Sequence, residues 1–250
     1  MIYFIGAGPG AVDLITVKGA RLLKEADTVV YAGSLVNPEL LEECKSTCQI
    51  HNSAGMTLQE VMKVLIGDDG DDKVIVRLHT GDPSIYGAIR EQMDILNEQN
   101  LAYEVVPGVS SFCGAAAALK VEYTLPAVSQ TVILTRMEGR TPVPEKEKIR
   151  LLASHQATMV LFLTSSLIKE LVVELMEGGY SVDTKAAIVY KATWPEQRVY
   201  RTTVGELEAC AKENHITKTA LIVIGNVLGD EYELSKLYDE SFTHEYRVGK

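Results

Sequence analysis

Three glycine-bearing segments stand out as places where a chain can come close to a ligand. They are Gly6-Ala7-Gly8-Pro9-Gly10, His79-Thr80-Gly81-Asp82-Pro83-Ser84-Ile85-Tyr86-Gly87 and Pro107-Gly108-Val109-Ser110-Ser111. Glycine has no Cβ, so its N–H and C=O can approach a bound molecule and its φ can turn positive. With Ala11 the first segment fits G-x-G-x-x-A, the spacing that cradles a pyrophosphate in dinucleotide-binding folds. Pro9 and Gly10 are poor helix formers, however, and the helical pattern starts only near Thr16, too late to aim a helix N-terminus at a phosphate. The acid that would hold a ribose at the end of the second strand is also missing, its place taken by Tyr31-Ala32-Gly33-Ser34. Alone, this loop fits a tight turn as well as a nucleotide-like ligand. In the second segment Asp82 and Ser84 are of the type that caps a following helix, the structural alternative to a ligand contact. All three segments follow a strand pattern, and together they would form one continuous crevice floor.

Other chemistries leave no comparable trace. No Ser-His-Asp or Cys-His set occurs in a convincing order. His51, His155, His215 and His244 are scattered and read as surface residues, while His79 sits beside the Gly-Asp-Pro loop. Cys44 and Cys48 share a helical spacing, but no second pair of ligands accompanies them, so no metal is expected. Trp194, before Pro195, reads as packing a turn, and the tyrosines are too dispersed for a nucleic-acid stacking platform.

The elements that must position these loops follow from periodicity. Strand runs at 2–5, 28–31, 73–78 and 103–106 alternate with helical patterns at 16–26, 38–44, 57–66, 84–97 and 110–119. This βα alternation predicts an α/β fold with a mostly parallel sheet in the first half. The pattern restarts near Thr131: strands at 131–135, 158–163, 186–190, 198–203 and 220–224, helices at 144–153, 166–177 and 204–212. Close strands around Pro195 point to hairpins, hence a mixed sheet. The expected domains are 1–126 and 127–230, with 231–250 as a polar tail.

The chain has 250 residues, 46% of them hydrophobic, enough for a sizeable core. Its 24 Lys+Arg against 34 Asp+Glu leave a formal charge of −10, which argues against a general grip on nucleic acid or an anionic membrane. No apolar run approaches the roughly 18 residues of a membrane span. The first residues lack a basic stretch and do not read as a signal peptide. The four cysteines have no disulfide-framework spacing, so a reducing cytoplasm is expected.

Gly6-Ala7-Gly8-Pro9-Gly10, Gly81-Asp82-Pro83 and Val106-Pro107-Gly108-Val109-Ser110, in this order and at these separations, resemble the S-adenosylmethionine-dependent tetrapyrrole methylases. Tyr31–Val36, the stretch 133–144 (ILTRMEGRTPVP) and the stretch 189–195 (VYKATWP) are similar to the branch that methylates C11 of precorrin-4 or cobalt-precorrin-4 in cobalamin biosynthesis. The resemblance runs from the first strand to about Gly229. It implies a two-domain fold with an active-site cleft between the domains, S-adenosyl-L-methionine as methyl donor, S-adenosyl-L-homocysteine as product, and a homodimer. It places Pro9, Thr80, Gly81, Asp82, Ile85, Ser110 and Ser111 at the cofactor, with Leu163 where Met is frequent and Ala192 where Gly is frequent. No catalytic base is implied, because the sulfonium is already activated and the chain need only align the reacting atoms and exclude water.

A polycarboxylate macrocycle in an acidic protein demands local cations. Arg77, Arg90, Arg136, Arg140 and Lys191 are the candidates, with Tyr31, Ser34 and Met56 on loops expected to form the trough. Arg136 and Arg140 stand out because they flank Gly139 in a loop ending in two prolines. Another ring position within the same family, a nicotinamide oxidoreductase and a non-catalytic pigment binder are the alternative readings.

Overall fold

Short apolar runs bounded by turns become strands, and amphipathic stretches become helices packed on them, in two units. The computed structural model describes residues 1–67 and 73–249, and the side chain of Ser34 lies outside what is described. One unit comprises Met1–Ala115 with Lys191–Gln197, the other Ala116–Tyr190 with Arg198–Lys250. Seven residues from late in the chain therefore belong with the first unit.

The first unit contains β1 (Ile2–Gly6), α1 (Val17–Glu25), β2 (Thr28–Tyr31), β3 (Gln49–Asn52), α2 (Leu58–Gly67), β4 (Ile75–His79), α3 (Arg90–Glu98) and β5 (Tyr103–Val106). The chain leaves it through α4 (Ser111–Leu119). All strand pairs are parallel, in the order β3-β2-β4-β1-β5. Both faces of the central strands are covered, as continuous apolar runs require. Ile5, Val29, Val76 and Leu78 pack with Leu22, Leu23 and Ala26 at α1. Ile2, Phe4, Val30 and Ile75 pack with Val61, Met62 and Leu65 of α2 and Leu96 of α3. A capping box starts α2: Glu60 N–H donates to Thr57 Oγ1 at 3.3 Å, and Thr57 N–H to Glu60 Oε2 at 2.7 Å.

Three local expectations change. β3 has no apolar run to announce it, since Gln49, Ile50 and Asn52 are exposed; it is an edge strand held by backbone pairing to β2. The helix predicted at 38–44 is a 3-10 segment, Pro38–Glu43, capped by Asn37. The helix expected from Ser84 begins only at Arg90, because Tyr86 and Ala88 adopt left-handed φ of 56° and 50°. Between them Gly87 lies so close to Pro83 that a side chain would overlap its carbonyl.

The second unit contains β6 (Val132–Arg136), α5 (Ile149–Ala153), β7 (Thr158–Phe162), α6 (Ile168–Glu177), β8 (Lys185–Tyr190), β9 (Arg198–Thr203), α7 (Leu207–Glu213) and β10 (Ala220–Ile224). Its order is β6-β7-β10-β8-β9, with only β6–β7 parallel. This is the mixed sheet predicted, with β8 and β9 as the hairpin around Pro195. Met159, Leu161, Ile188, Ile222 and Ile224 pack under Leu171 and Leu175 of α6 and Leu207 and Ala211 of α7. Among the described residues, no helix is long and apolar enough to cross a membrane.

Candidate active site

In open parallel sheets ligands lie beyond the carboxyl ends of the strands. β4, β1 and β5 are neighbours, and each ends in one of the three glycine segments. The first two loops are stitched backbone to backbone. Ala7 N–H donates to His79 O at 2.7 Å, Gly8 N–H to Gly81 O at 3.3 Å, and Gly81 N–H to Gly8 O at 2.8 Å. A Cβ on Gly6 would lie 2.5 Å from Gly81 O and 2.6 Å from Gly108 Cα, so only glycine lets the three loops close up. Gly81 turns at φ 63°, a conformation that glycine adopts without penalty.

Asp82 does not cap a helix; it ties the second loop to the third. Its Oδ2 accepts from Gly108 N–H at 2.8 Å, and its Oδ1 from Ser84 N–H at 2.8 Å and from the Ser84 hydroxyl. Burial alone would raise its pKa, but the Ser84 and Gly108 donors outweigh it and hold the carboxyl below its ordinary value. The predicted residues Pro9, Thr80, Gly81, Asp82, Ile85, Ser110 and Ser111 all belong to this unit, with Pro9 and Ser110 buried. Thr80 Oγ1 is buried and has no hydrogen-bond partner among the described residues. The same is true of Nε2 of His79, whose ring is only 3% exposed. Burial, and then the charge of Arg77, push the His79 pKa down to about 3, so the imidazole is neutral at ordinary pH.

The first loop has further supports that no local pattern announced. Trp194 Nε1–H donates to Pro9 O at 3.0 Å, Ala11 N–H donates to Thr193 Oγ1 at 3.0 Å, and the buried Asn37 amide donates to Gly10 O at 2.8 Å. Trp194 does pack a turn, and that turn is the glycine loop. The adjacent Ala192 is buried. In the second unit Leu163 follows β7 at φ 52°, with its side chain 66% exposed.

The residues expected at the substrate differ widely in their engagement. Arg77 is buried, with Nη1 on Val30 O at 3.1 Å and Nε on Gln92 Oε1 at 3.3 Å. Burial lowers its pKa to about 10, which leaves it charged, and its contacts tie β4 to β2 and α3. Arg90 is exposed and pairs with Asp94 at 2.8 Å. Arg136 donates from Nη1 to Met137 O and Thr141 O and from Nη2 to Pro142 O, at 3.1, 3.2 and 2.8 Å. It thereby shapes the loop that exposes Arg140, which has no partner among the described residues. Lys191 pairs with Glu196 at 3.3 Å and lies 5.1 Å over the Trp194 ring. Tyr31 and Met56 flank two turns that meet: Ser53 donates its hydroxyl to Tyr31 O at 2.9 Å, and Met56 N–H donates to Ser53 O at 3.1 Å. Ser34 carries no side-chain description.

Cys44 and Cys48 lie beside the core, where burial raises the Cys44 thiol to about 12. No group of three or more acidic, histidine or cysteine side chains is arranged to hold a metal among the described residues. A groove of about 1230 Å³ on the second unit, lined by Lys120, Glu122, Lys185, Arg201 and Tyr232 among others, contains none of the residues expected at either ligand.

Residues 1–208 match the family of tetrapyrrole (corrin/porphyrin) methylases, and the chain belongs to it. Among relatives, it is 53% identical to the cobalt-precorrin-4 C(11)-methyltransferase of Methanocaldococcus jannaschii, over 98% of this chain and 95% of that protein. It is 45% identical to the precorrin-4 C(11)-methyltransferase of Mycobacterium tuberculosis, over 92% of each. The crystal structure of a cobalt precorrin-4 methyltransferase, a cobalamin biosynthetic enzyme, superposes with a TM-score of 0.89 at 48% identity, covering 92% of this chain and 96% of that one.

Proposed function

We propose that the chain transfers the methyl group of S-adenosyl-L-methionine to C11 of precorrin-4 or cobalt-precorrin-4 in cobalamin biosynthesis. The observation that carries this reading is the near-full-length identity to enzymes of that name, 53% over 98% of the chain. The loop floor supports the donor. S-adenosylmethionine has no phosphate, and here α1 starts at Val17, well past Gly10, so the helix that follows the first loop does not aim its N-terminus into it as a pyrophosphate site would. The floor instead offers closely packed backbone groups and the unpartnered Thr80 hydroxyl, which suit an adenosine and an amino-acid moiety.

When bound, that cofactor supplies an electrophilic methyl on a sulfonium. Pro9, Thr80, Gly81, Asp82, Ile85, Ser110 and Ser111 hold and orient it, with Leu163 and Ala192 contributing backbone contacts. Arg140 and Lys191, with Arg90, receive carboxylates of the macrocycle, and Arg136 acts by shaping the loop that carries Arg140. Tyr31, Ser34 and Met56 line the trough. Arg77 already spends its donors inside the first unit; as a substrate residue it contributes the charge of a buried cation rather than a free fork. No side chain is assigned as a base, and the work of the chain is alignment and exclusion of water. A homodimer in the cytoplasm completes the reading, and light scattering of the purified protein checks the dimer.

Incubation of cobalt-precorrin-4 and of precorrin-4 with methyl-labelled cofactor, followed by NMR of the product, tests the assignment. A label at C11 is expected, and a label at any other ring position overturns it. The nicotinamide reading predicts binding of NADH, which fluorescence titration checks; the absent acid after β2 opposes it.

A further inference from the structure

The seven residues Lys191–Gln197 leave the second unit after Tyr190, belong to the first, and return at Arg198. Within them Lys191 and Thr193 adopt left-handed φ of 45° and 69°. For a β-branched residue such as threonine this conformation is a genuine outlier, kept only where the surroundings over-determine it. Several contacts do so here. Thr193 N–H donates to Gln197 Oε1 at 2.7 Å, Trp194 N–H to Lys191 O at 3.1 Å, and Gln197 N–H to Trp194 O at 3.0 Å. Strained and locked in this way, the turn presents two groups to one target: the indole N–H to Pro9 O and the Thr193 hydroxyl oxygen to Ala11 N–H. The indole also fills the space beside Gly10, where any side chain would collide with the ring. Pro9, Gly10 and Ala11 are thus gripped on three consecutive residues.

We propose that Thr193 and Trp194 are positioning residues that set cofactor affinity by fixing the first glycine loop. The inference rests on the cofactor reading above and deepens it. The loop itself is backbone and Pro9, so its anchors come from other segments: Asn37 holds Gly10 O, and the strap holds Pro9 and Ala11 on either side. Trp194 is the sole tryptophan of the chain, so its fluorescence reports directly on the loop when ligand arrives.

The test is calorimetric titration of the wild-type protein, Trp194→Phe and Thr193→Val with S-adenosylhomocysteine, with tryptophan emission followed in the wild type and in Thr193→Val, which keep the indole. The phenylalanine keeps an aromatic ring but removes the N–H and part of the indole's packing beside Gly10, while the valine keeps the branched shape and removes only the acceptor, so Thr193→Val is the cleaner of the two. Each variant is expected to weaken binding about fivefold, corresponding to about 1 kcal/mol for one hydrogen bond. The same factor is expected in KM for S-adenosylmethionine, with kcat at saturating cofactor held within about twofold. Wild-type emission is expected to shift on binding. Unchanged affinity in both variants overturns the proposal, as does a loss confined to kcat and thermal stability. A wild-type protein that does not bind S-adenosylhomocysteine overturns the cofactor reading itself, so the two failures are distinct.

Discussion

The floor beyond β1, β4 and β5 and the loop after β6 both carry expected ligand contacts, yet they are held in opposite ways. The floor is backbone against backbone: side chains are missing at Gly6, Gly81 and Gly108 so that carbonyls and amides can meet, and one carboxylate, Asp82, closes the third side. The loop after β6 is held chiefly by side chains, with Arg136 donating to three carbonyls and Thr164 Oγ1 accepting from Met137 N–H at 3.0 Å. A floor made by exclusion of side chains has no slack, because every near neighbour is backbone. A loop made by one long side chain can shift when that side chain is shortened. The first suits a cofactor of fixed shape, and the second suits a large, many-armed substrate.

The contrast can be broken most sharply at Gly6. Gly6→Ala forces a Cβ into two backbone atoms that cannot rotate away. Overpacking of this kind costs about 1–3 kcal/mol, so cofactor affinity is expected to fall roughly a hundredfold, read by calorimetry, with a lowered melting temperature. Asp82→Ala strands the Gly108 amide without its acceptor, and affinity is expected to drop about thirtyfold. The carboxyl also makes a pH prediction. Its folded pKa lies below the ordinary value, so its stabilisation is fully present above the unfolded pKa and lost as pH falls through the folded one. Chemical denaturation across acidic pH should therefore show a shallower loss in Asp82→Ala than in the wild type.

Arg136→Met tests the other side of the comparison. It is expected to raise KM for the tetrapyrrole roughly tenfold and leave S-adenosylhomocysteine binding near the wild-type value; equal effects on both ligands would erase the distinction between the two regions. At neutral pH the smallest effect lies at His79, whose contribution appears only in acid. Its folded pKa, about 3, is below the ordinary 6.5, so between these values the unfolded chain takes up the proton. Stability should decline as pH drops below about 6.5, and His79→Gln should lack that part of the decline, as measured by denaturant midpoints. No inflection from His79 is expected in kcat near neutral pH.

Much of this architecture is legible along the chain. Buried strands such as Ile75–His79 write themselves as apolar runs, and a glycine segment at each strand end marks where backbone must come close. Edge strand β3 leaves no mark in the sequence, because backbone pairing to β2 needs no apolar signature. The sequence places a helix start at Ser84 because Asp82 and Ser84 carry an N-cap's chemistry, while in the fold the Asp82 carboxylate is claimed by Gly108 from another loop. Arg77 reads like any ligand-facing arginine until its partners, Val30 O and Gln92, are known.

The sequence by itself determined most of the element types, the parallel and mixed character of the two sheets and the three glycine loops, because periodicity and missing side chains are local properties. It also determined family membership, through motifs that sit in the loops. Only the tertiary structure decided that Asp82 is a tie rather than a cap, that Arg136 builds its own loop, and that Thr193 and Trp194 grip Pro9 to Ala11 across more than 180 residues of chain. Those choices are contests among several donors for few acceptors, and the winner depends on which groups the fold brings within about 3 Å, the reach of a hydrogen bond.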